Sequence, residues 1–147
     1  MSKPTPVKTL IDLSQMRLDE AARTLGNLIS GEKIASERLK ILVGYRNEYH
    51  TRFMTAAQAG IDRDSWRNYQ AFLERLDSSI TQAEAEVEQS RQRTALGQQE
   101  WLGKKDRLRA FDTLAQRHQL REQHAAQHRE QKMQDEFAAH KFDAKED

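Results

Sequence analysis

Hydrophobic residues recur at alternating steps of three and four along two long stretches of this chain. In a helix, such a seven-residue repeat places apolar side chains at the a and d positions of a seam that a second helix can cover. The first stretch puts these residues at a and d: Ile11, Ser14, Leu18, Ala21, Leu25, Leu28, Glu32, Ala35, Leu39, Leu42, Arg46, Tyr49, Phe53 and Ala56. The second puts these there: Trp66, Tyr69, Leu73, Leu76, Ile80, Ala83, Val87, Ser90, Thr94, Gly97, Trp101, Lys104, Leu108, Phe111 and Ala115. The pattern predicts two coiled-coil helices.

A short break around Gly60 separates the two stretches. Gly60 suits a left-handed helix C-cap, and Asp62 or Asp64 suits the N-cap of the helix that follows. We therefore predict one coiled-coil hairpin over residues 7–140, with a helix over about 7–57, a turn over about 58–64 and a helix over about 63–140. Residues 1–6 and 141–147 are predicted to be flexible. Heptads alone also suit a homodimer of long helices, but the turn favours the intramolecular pair.

The two predicted helices differ in length. With a turn near Gly60, the numbers of facing residues add to about 121, so the second helix runs out of partners near Ala115. Beyond it the seam positions become polar: His118, Glu122, Arg129, Lys132 and Glu136. The predicted fold is therefore all-α, a long antiparallel two-helix coiled-coil hairpin with unequal arms, whose second helix extends alone at its C-terminal end. This extension is either a solvated single helix that frays when free or a segment that orders only inside a partner. Its small apolar island of Met133, Phe137 and Phe142 suits the second interpretation.

Composition narrows the classes of function. The 147 residues are 37% hydrophobic and 32% charged, which suits helices that bury one stripe each. The 24 basic and 23 acidic side chains give a net charge of +1, so we expect no nucleic acid partner. No apolar run is long enough to span a bilayer, so we expect peripheral membrane association through partners only. The absence of cysteine excludes disulfides and thiol catalysis.

Candidate chemistry is sparse. His124 and His128 have the four-residue spacing of a helical metal pair, but no third ligand is fixed nearby. The sequence also contains no phosphate-binding glycine loop and no nucleophile–base arrangement with sequence context. We therefore predict no catalytic residue, no metal site, no cofactor and no enzymatic activity.

Two aromatic residues lie beside the seam. Tyr45 and Phe72 occupy g positions, directly before an a position, where one partner helix cannot bury them fully. The predicted register sets Leu42, Tyr45 and Tyr49 opposite Phe72, Leu76 and Ser79, so the aromatic residues gather on one flank. This group either thickens the edge of the core or forms an exposed surface that binds a protein.

Four segments of the chain carry a family resemblance. They are LKILVGYRNEY at 39–49, the turn and helix start at 60–72, WLGKKDRLRAF at 101–111, and QKMQDEFA at 131–138. In these segments, and over nearly its whole length, the chain resembles the FliJ family of flagellar type III export proteins.

The resemblance implies a central stalk of the export ATPase complex. Its partners would be the hexameric flagellar export ATPase, the cytoplasmic domain of the export gate and the export chaperones. The stalk would promote ring assembly and ATPase activity, and would lie in the cytoplasm, peripheral on the inner membrane at the flagellar base. The family's gate-facing positions that match here are Leu42, Tyr45, Tyr49, Phe72 and Leu76. Arg38, Ser79 and Ala83 occupy neighbouring family positions with different residue types.

We expect the paired ends of the helices, roughly 7–21 and 102–142, to enter the ATPase ring. The candidate ring-binding residues are Ile11, Leu18, Trp101, Met133 and Phe137. Three other interpretations are a free-standing holdase chaperone, an RNA-binding coiled-coil arm, which the balanced charge disfavours, and a scaffold coiled coil without the export role.

Overall fold

The computed structural model describes residues 5–146, which form two long helices joined by a short turn. Helix α1 spans Pro6–Ala59 and helix α2 spans Arg63–Glu146, and the described residues contain no strand. The two helices pack against each other, which confirms the predicted all-α helical hairpin. Helix α2 continues to Glu146, where the sequence analysis ended it near residue 140. Of the ends predicted to be flexible, residues 1–4 and 147 lie outside the described residues.

Thr5 and Pro6 start helix α1. The Thr5 Oγ1 accepts a hydrogen bond from the backbone N–H of Lys8 at 3.2 Å, and the Thr5 carbonyl accepts one from the N–H of Thr9 at 3.1 Å. Pro6 is the first helical residue, where its missing N–H leaves no bond unmade. Local sequence therefore fixes the N-terminus of α1.

Three residues make the turn. Gly60 has a φ of 92°, which is accessible to glycine without a steric penalty, and its N–H donates to the Ala57 carbonyl at 3.1 Å. Asp62, rather than Asp64, is the N-cap of α2, because its Oδ1 accepts a hydrogen bond from the Ser65 N–H at 3.1 Å. The hydrogen bonds with Ser65 lower the pKa of Asp62 below its usual value of 3.8.

The chain divides into two compact units. The turn unit comprises Asp19–Leu102, and the terminal unit comprises Met1–Leu18 with Gly103–Asp147. Along both helices the predicted a and d positions coincide with the buried or half-buried side chains, apart from the exposed Arg46, Ala56 and Trp66. The predicted seam is therefore confirmed. Its most buried apolar side chains lie in the turn unit: Tyr69, Ile80, Ala83 and Val87.

Polar contacts between the helices show the register of the turn unit. Arg38 pairs with Glu86 at 3.5 Å, and Arg46 pairs with Asp77 at 2.8 Å. The Thr94 hydroxyl lies 3.3 Å from the carbonyl oxygen of Leu28 on the other helix. The residue numbers in these pairs add to between 122 and 124, slightly more than the predicted 121. The turn is thus centred on the residue after Gly60.

The terminal unit pairs the start of α1 with the middle of α2. Ser14 is buried there, and Val7 and Ile11 line a groove together with Ala115 and His118. Every side chain from 116 to 145 is exposed. The second helix therefore extends beyond its intramolecular partner, as predicted. No helix in the described range is both long and apolar enough to cross a membrane.

Candidate functional site

An aromatic cluster lies next to the turn and joins the ends of both helices. The Phe53 and Tyr69 rings stack with their centroids 3.5 Å apart, and the Tyr49 and Tyr69 rings stack at 5.3 Å. Trp66 lies 5.1 Å from Phe53, and Phe72 lies 4.4 Å from Tyr49. Offset and tilted aromatic pairs such as Tyr49–Tyr69, Phe53–Trp66 and Tyr49–Phe72 add to the energy of area burial, so this cluster is a local core.

Tyr69 is the centre of the cluster and is only 7% exposed. Its hydroxyl lies 2.9 Å from His50 Nδ1, so the buried phenol keeps a hydrogen-bond partner. Burial raises the pKa of Tyr69 above its usual value of 10.0, and the neighbouring Tyr49 raises it further. The phenol therefore stays neutral at physiological pH, and the role of Tyr69 is packing.

The five residues predicted to face the gate form what we call the aromatic flank: Leu42, Tyr45, Tyr49, Phe72 and Leu76. Tyr45 is 59% exposed and Phe72 is 39% exposed, whereas the other three are half-buried. The structure brings Tyr49 and Phe72 into direct contact. The flank is thus anchored in the core by Tyr49 and presents Tyr45 and Phe72 to solvent.

Ion pairs border the aromatic flank. Arg46, one residue from Tyr45, binds Asp77, one residue from Leu76. Arg38 binds Glu86 two helical turns further from the hairpin turn. Such half-exposed pairs contribute little to stability, and they give the apolar surface a polar rim of the kind seen around protein-binding patches.

Sequence reasoning missed two exposed isoleucines beside the flank. Ile34 and Ile41 are 59% and 56% exposed, and both occupy c positions on the outer face of α1. With Tyr45 they are spaced by seven and four residues, so the three share one helix face. In the sequence, apolar residues were sought in the seam and beside it. A search of all seven heptad positions would have found Ile34 and Ile41.

The candidate ring-binding residues separate into two kinds. Ile11, Leu18 and Trp101 are half-buried in the seam. Met133 and Phe137 are each 70% exposed on the extension of α2. A partner can therefore reach most of Met133 and Phe137, but less of the other three.

Groups that could support chemistry are few. Within residues 5–146 no three His, Cys, Asp or Glu side chains are placed to hold a metal ion. His124 and His128 lie with Leu120 and Gln131 along one shallow face of the α2 extension. The features that remain are exposed apolar surfaces, which are suited to binding proteins.

Comparisons with known proteins give a family match over nearly the whole chain. Residues 2–147 match the family model described as "Flagellar FliJ protein". A curated protein of Escherichia coli (strain K12), named "Flagellar FliJ protein", is 36% identical over 138 residues, which cover 94% of each chain. A protein of Salmonella typhi with the same name is 37% identical over 138 residues, again covering 94% of each chain.

Proposed function

We propose that this chain, which belongs to the FliJ family of flagellar proteins, is a non-enzymatic component of the flagellar type III protein export apparatus. It acts there as the central stalk that promotes ring assembly and activity of the hexameric export ATPase. It also contacts the cytoplasmic domain of the export gate and escorts export chaperones. Its partners hold it on the cytoplasmic face of the inner membrane at the flagellar base.

The main support for binding to the ATPase ring is the α2 extension, whose side chains are exposed from residue 116 to 145. Isolated polar helices are marginally stable in water, so a partner that covers the extension would stabilise it. Its large apolar residues Met133, Phe137 and Phe142 are 64–70% exposed.

The placement of these residues favours a partner that encloses the helix. Met133 and Phe137 are four residues apart and share one face. Phe142 follows Met133 by nine residues, which at about 100° per residue puts it on the opposite face. One flat surface cannot cover both faces, whereas the inside of a ring can.

The aromatic flank supports the gate contact. Tyr45 and Phe72 offer exposed aromatic surface on a base that Tyr49 and Tyr69 hold rigid by stacking. In protein interfaces, aromatic residues surrounded by a polar rim often contribute most of the binding energy. A flank of this kind can bind a protein domain without a change in its own backbone.

The test is to measure the hydrolysis rate and oligomer mass of the purified export ATPase with and without this protein. We expect the wild-type protein to promote ring formation and hydrolysis, and the double variant Met133→Ser/Phe137→Ser to lose both effects. Phe72→Ala is expected to retain them and to lose binding to the gate domain instead. Leu96→Ser, an equally exposed site in the turn unit, is the matched control. No effect of the wild-type protein on either observable would remove the stalk function.

A free-standing holdase is the second candidate, favoured by large apolar side chains that are exposed on both helices, such as Ile34 and Leu96. A holdase would slow the aggregation of many unrelated unfolded proteins in the absence of the ATPase. A stalk would have no such effect at equimolar concentration, so light scattering with two unrelated client proteins separates the two functions.

A further inference from the structure

An apolar patch of the terminal unit lies outside both surfaces discussed so far. Leu10 on α1 and Leu114 on α2 are 40% and 51% exposed and both occupy g positions. Their numbers add to 124, as do those of Arg38 and Glu86, which are g residues that form an ion pair across the helices. Leu10 and Leu114 are therefore cross-helix neighbours on one flank. Leu13, one turn from Leu10, is 42% exposed and enlarges the patch.

Two arginines continue this flank at the next pair of g positions. The numbers of Arg17 and Arg107 also add to 124, so these two positive charges face each other across the helices. In the turn unit, the equivalent positions carry opposite charges, Arg38 and Glu86. Like-charged g residues across a helix pair are unfavourable. Neither arginine forms an ion pair with any acidic side chain in residues 5–146. Arg117, one turn beyond Leu114, adds a third exposed positive charge.

We propose that this leucine–arginine flank (Leu10, Leu13, Arg17, Arg107, Leu114 and Arg117) binds an amphipathic helix of a partner protein whose apolar stripe is bordered by Asp or Glu. The leucines would cover the apolar stripe of that helix. Its carboxylates would neutralise the facing arginines, which the chain's own acidic residues leave unpaired. These residues lie within the helix ends that we expect to enter the ATPase ring, but neither the aromatic flank nor the candidate ring-binding set includes them, and the test below does not depend on the ATPase.

The surrounding charges favour a helix over an anionic membrane. Asp12, Asp106 and Asp112 are exposed at heptad positions away from the flank, where Lys8, Lys105 and Arg109 are exposed too, so in the terminal unit the flank is a stripe of leucine and arginine without an acidic side chain. A helix about 10 Å wide matches such a stripe. A broad anionic surface would also meet the acidic residues on either side. A second copy of this chain is disfavoured as well, because a two-fold contact of the flank with itself would set arginines against arginines.

The experiment uses the full-length protein and a fluorescein-labelled helical peptide with a leucine stripe bordered by glutamates. A second peptide carries lysines in place of the glutamates. Fluorescence anisotropy at low and high salt measures binding to the wild type, Leu114→Ser and Arg107→Glu. Matched controls are Leu96→Ser, which is 65% exposed in wild type, and Arg93→Glu, at a g position of the turn unit.

We expect the acidic peptide to bind about tenfold more tightly than the basic one, and Leu114→Ser and Arg107→Glu each to weaken it about tenfold. Both controls should stay within about twofold of wild type. Arg107→Glu also replaces the Arg17–Arg107 repulsion by an attraction, so it should raise the melting temperature while it weakens binding. A loss of binding in this variant is then not a loss of folding.

Three results would overturn the proposal. The first is equal binding, or no binding, of the acidic and basic peptides. The second is sedimentation of the wild type as a dimer that Leu114→Ser dissociates, which would assign the flank to a second copy. The third is tighter binding to anionic phospholipid vesicles than to the acidic peptide.

Discussion

Gly97 lies against helix α1 in the turn unit, and its replacement by alanine tests the packing there. A Cβ added at Gly97 would lie 2.6 Å from Leu28 Cδ1 and 3.7 Å from Leu25 Cδ1. At Gly31, in contrast, an added Cβ would have no atom within 4 Å. The same substitution therefore adds a methyl group to a filled seam at one site and to open solvent at the other.

The expected magnitudes follow from two opposing effects. Alanine is favoured over glycine inside a helix by about 0.8–1 kcal/mol. At Gly31 this gain should appear nearly in full. At Gly97 the Leu28 side chain must move, and overpacking costs about 1–3 kcal/mol, with the lower part of that range applying because the contact is with the end of a flexible side chain. We expect Gly97→Ala to be neutral or destabilising by up to about 1 kcal/mol.

Urea unfolding followed by circular dichroism measures both variants. The double variant Gly97→Ala/Leu28→Ala removes the atom that the new methyl group meets. We therefore expect Leu28→Ala to cost less in the Gly97→Ala background than in wild type, a positive coupling between the two sites. If Gly97→Ala stabilises the protein as much as Gly31→Ala does, the close approach at Gly97 is refuted.

Three further predictions concern the turn and the aromatic cluster. Asp62→Ala should lower stability at neutral pH but not in acid, because folding lowers the pKa of Asp62 and its contribution is lost as the pH falls from 3.8 through the folded value. Urea unfolding at neutral and at acidic pH measures the difference. Wild type should lose stability above pH 10.0 relative to Tyr69→Phe, because the pKa of Tyr69 is raised in the folded state and the unfolded chain releases the phenol proton first. Urea unfolding at pH 9 and pH 11 measures the difference. Phe53→Ala should lower the free energy of unfolding by about 2 kcal/mol, since Phe53 stacks on Tyr69 and is half-buried, and Phe72→Ala should lower it by about 1 kcal/mol, since Phe72 is exposed. Equal melting temperatures of the two variants would contradict this ranking.

The fold could be read from the sequence because one period runs through both helices. Apart from Arg46, Ala56 and Trp66, every a and d residue is buried or half-buried, and even Ser14 and Gly97 follow the pattern. The register was predicted less closely. The three-residue turn is centred on Ile61, so the facing residue numbers add to more than a turn at Gly60 requires. Which aspartate caps α2 depends on local hydrogen bonds, which periodicity does not encode.

The candidate surfaces were only partly predictable. Tyr45 and Phe72 could be recognised because g positions are never fully covered by one partner helix. The Leu10–Leu114 and Arg17–Arg107 pairs obey the same rule, but they were missed because they require two distant stretches to be compared in register. The net charge of +1 also conceals a local excess of arginine. The contact between His50 and Tyr69 depends on rotamers, which sequence spacing does not fix.

The three-residue turn also limits how the turn unit can move. To slide one helix past the other by one heptad, the connection would have to supply about 10 Å of extra chain. Three residues span about 10 Å when fully extended, and Gly60 to Asp62 already use that length to reverse the chain. The two helices therefore cannot slide along each other near the turn. A displacement of one helix there must bend the other helix or move it as a whole.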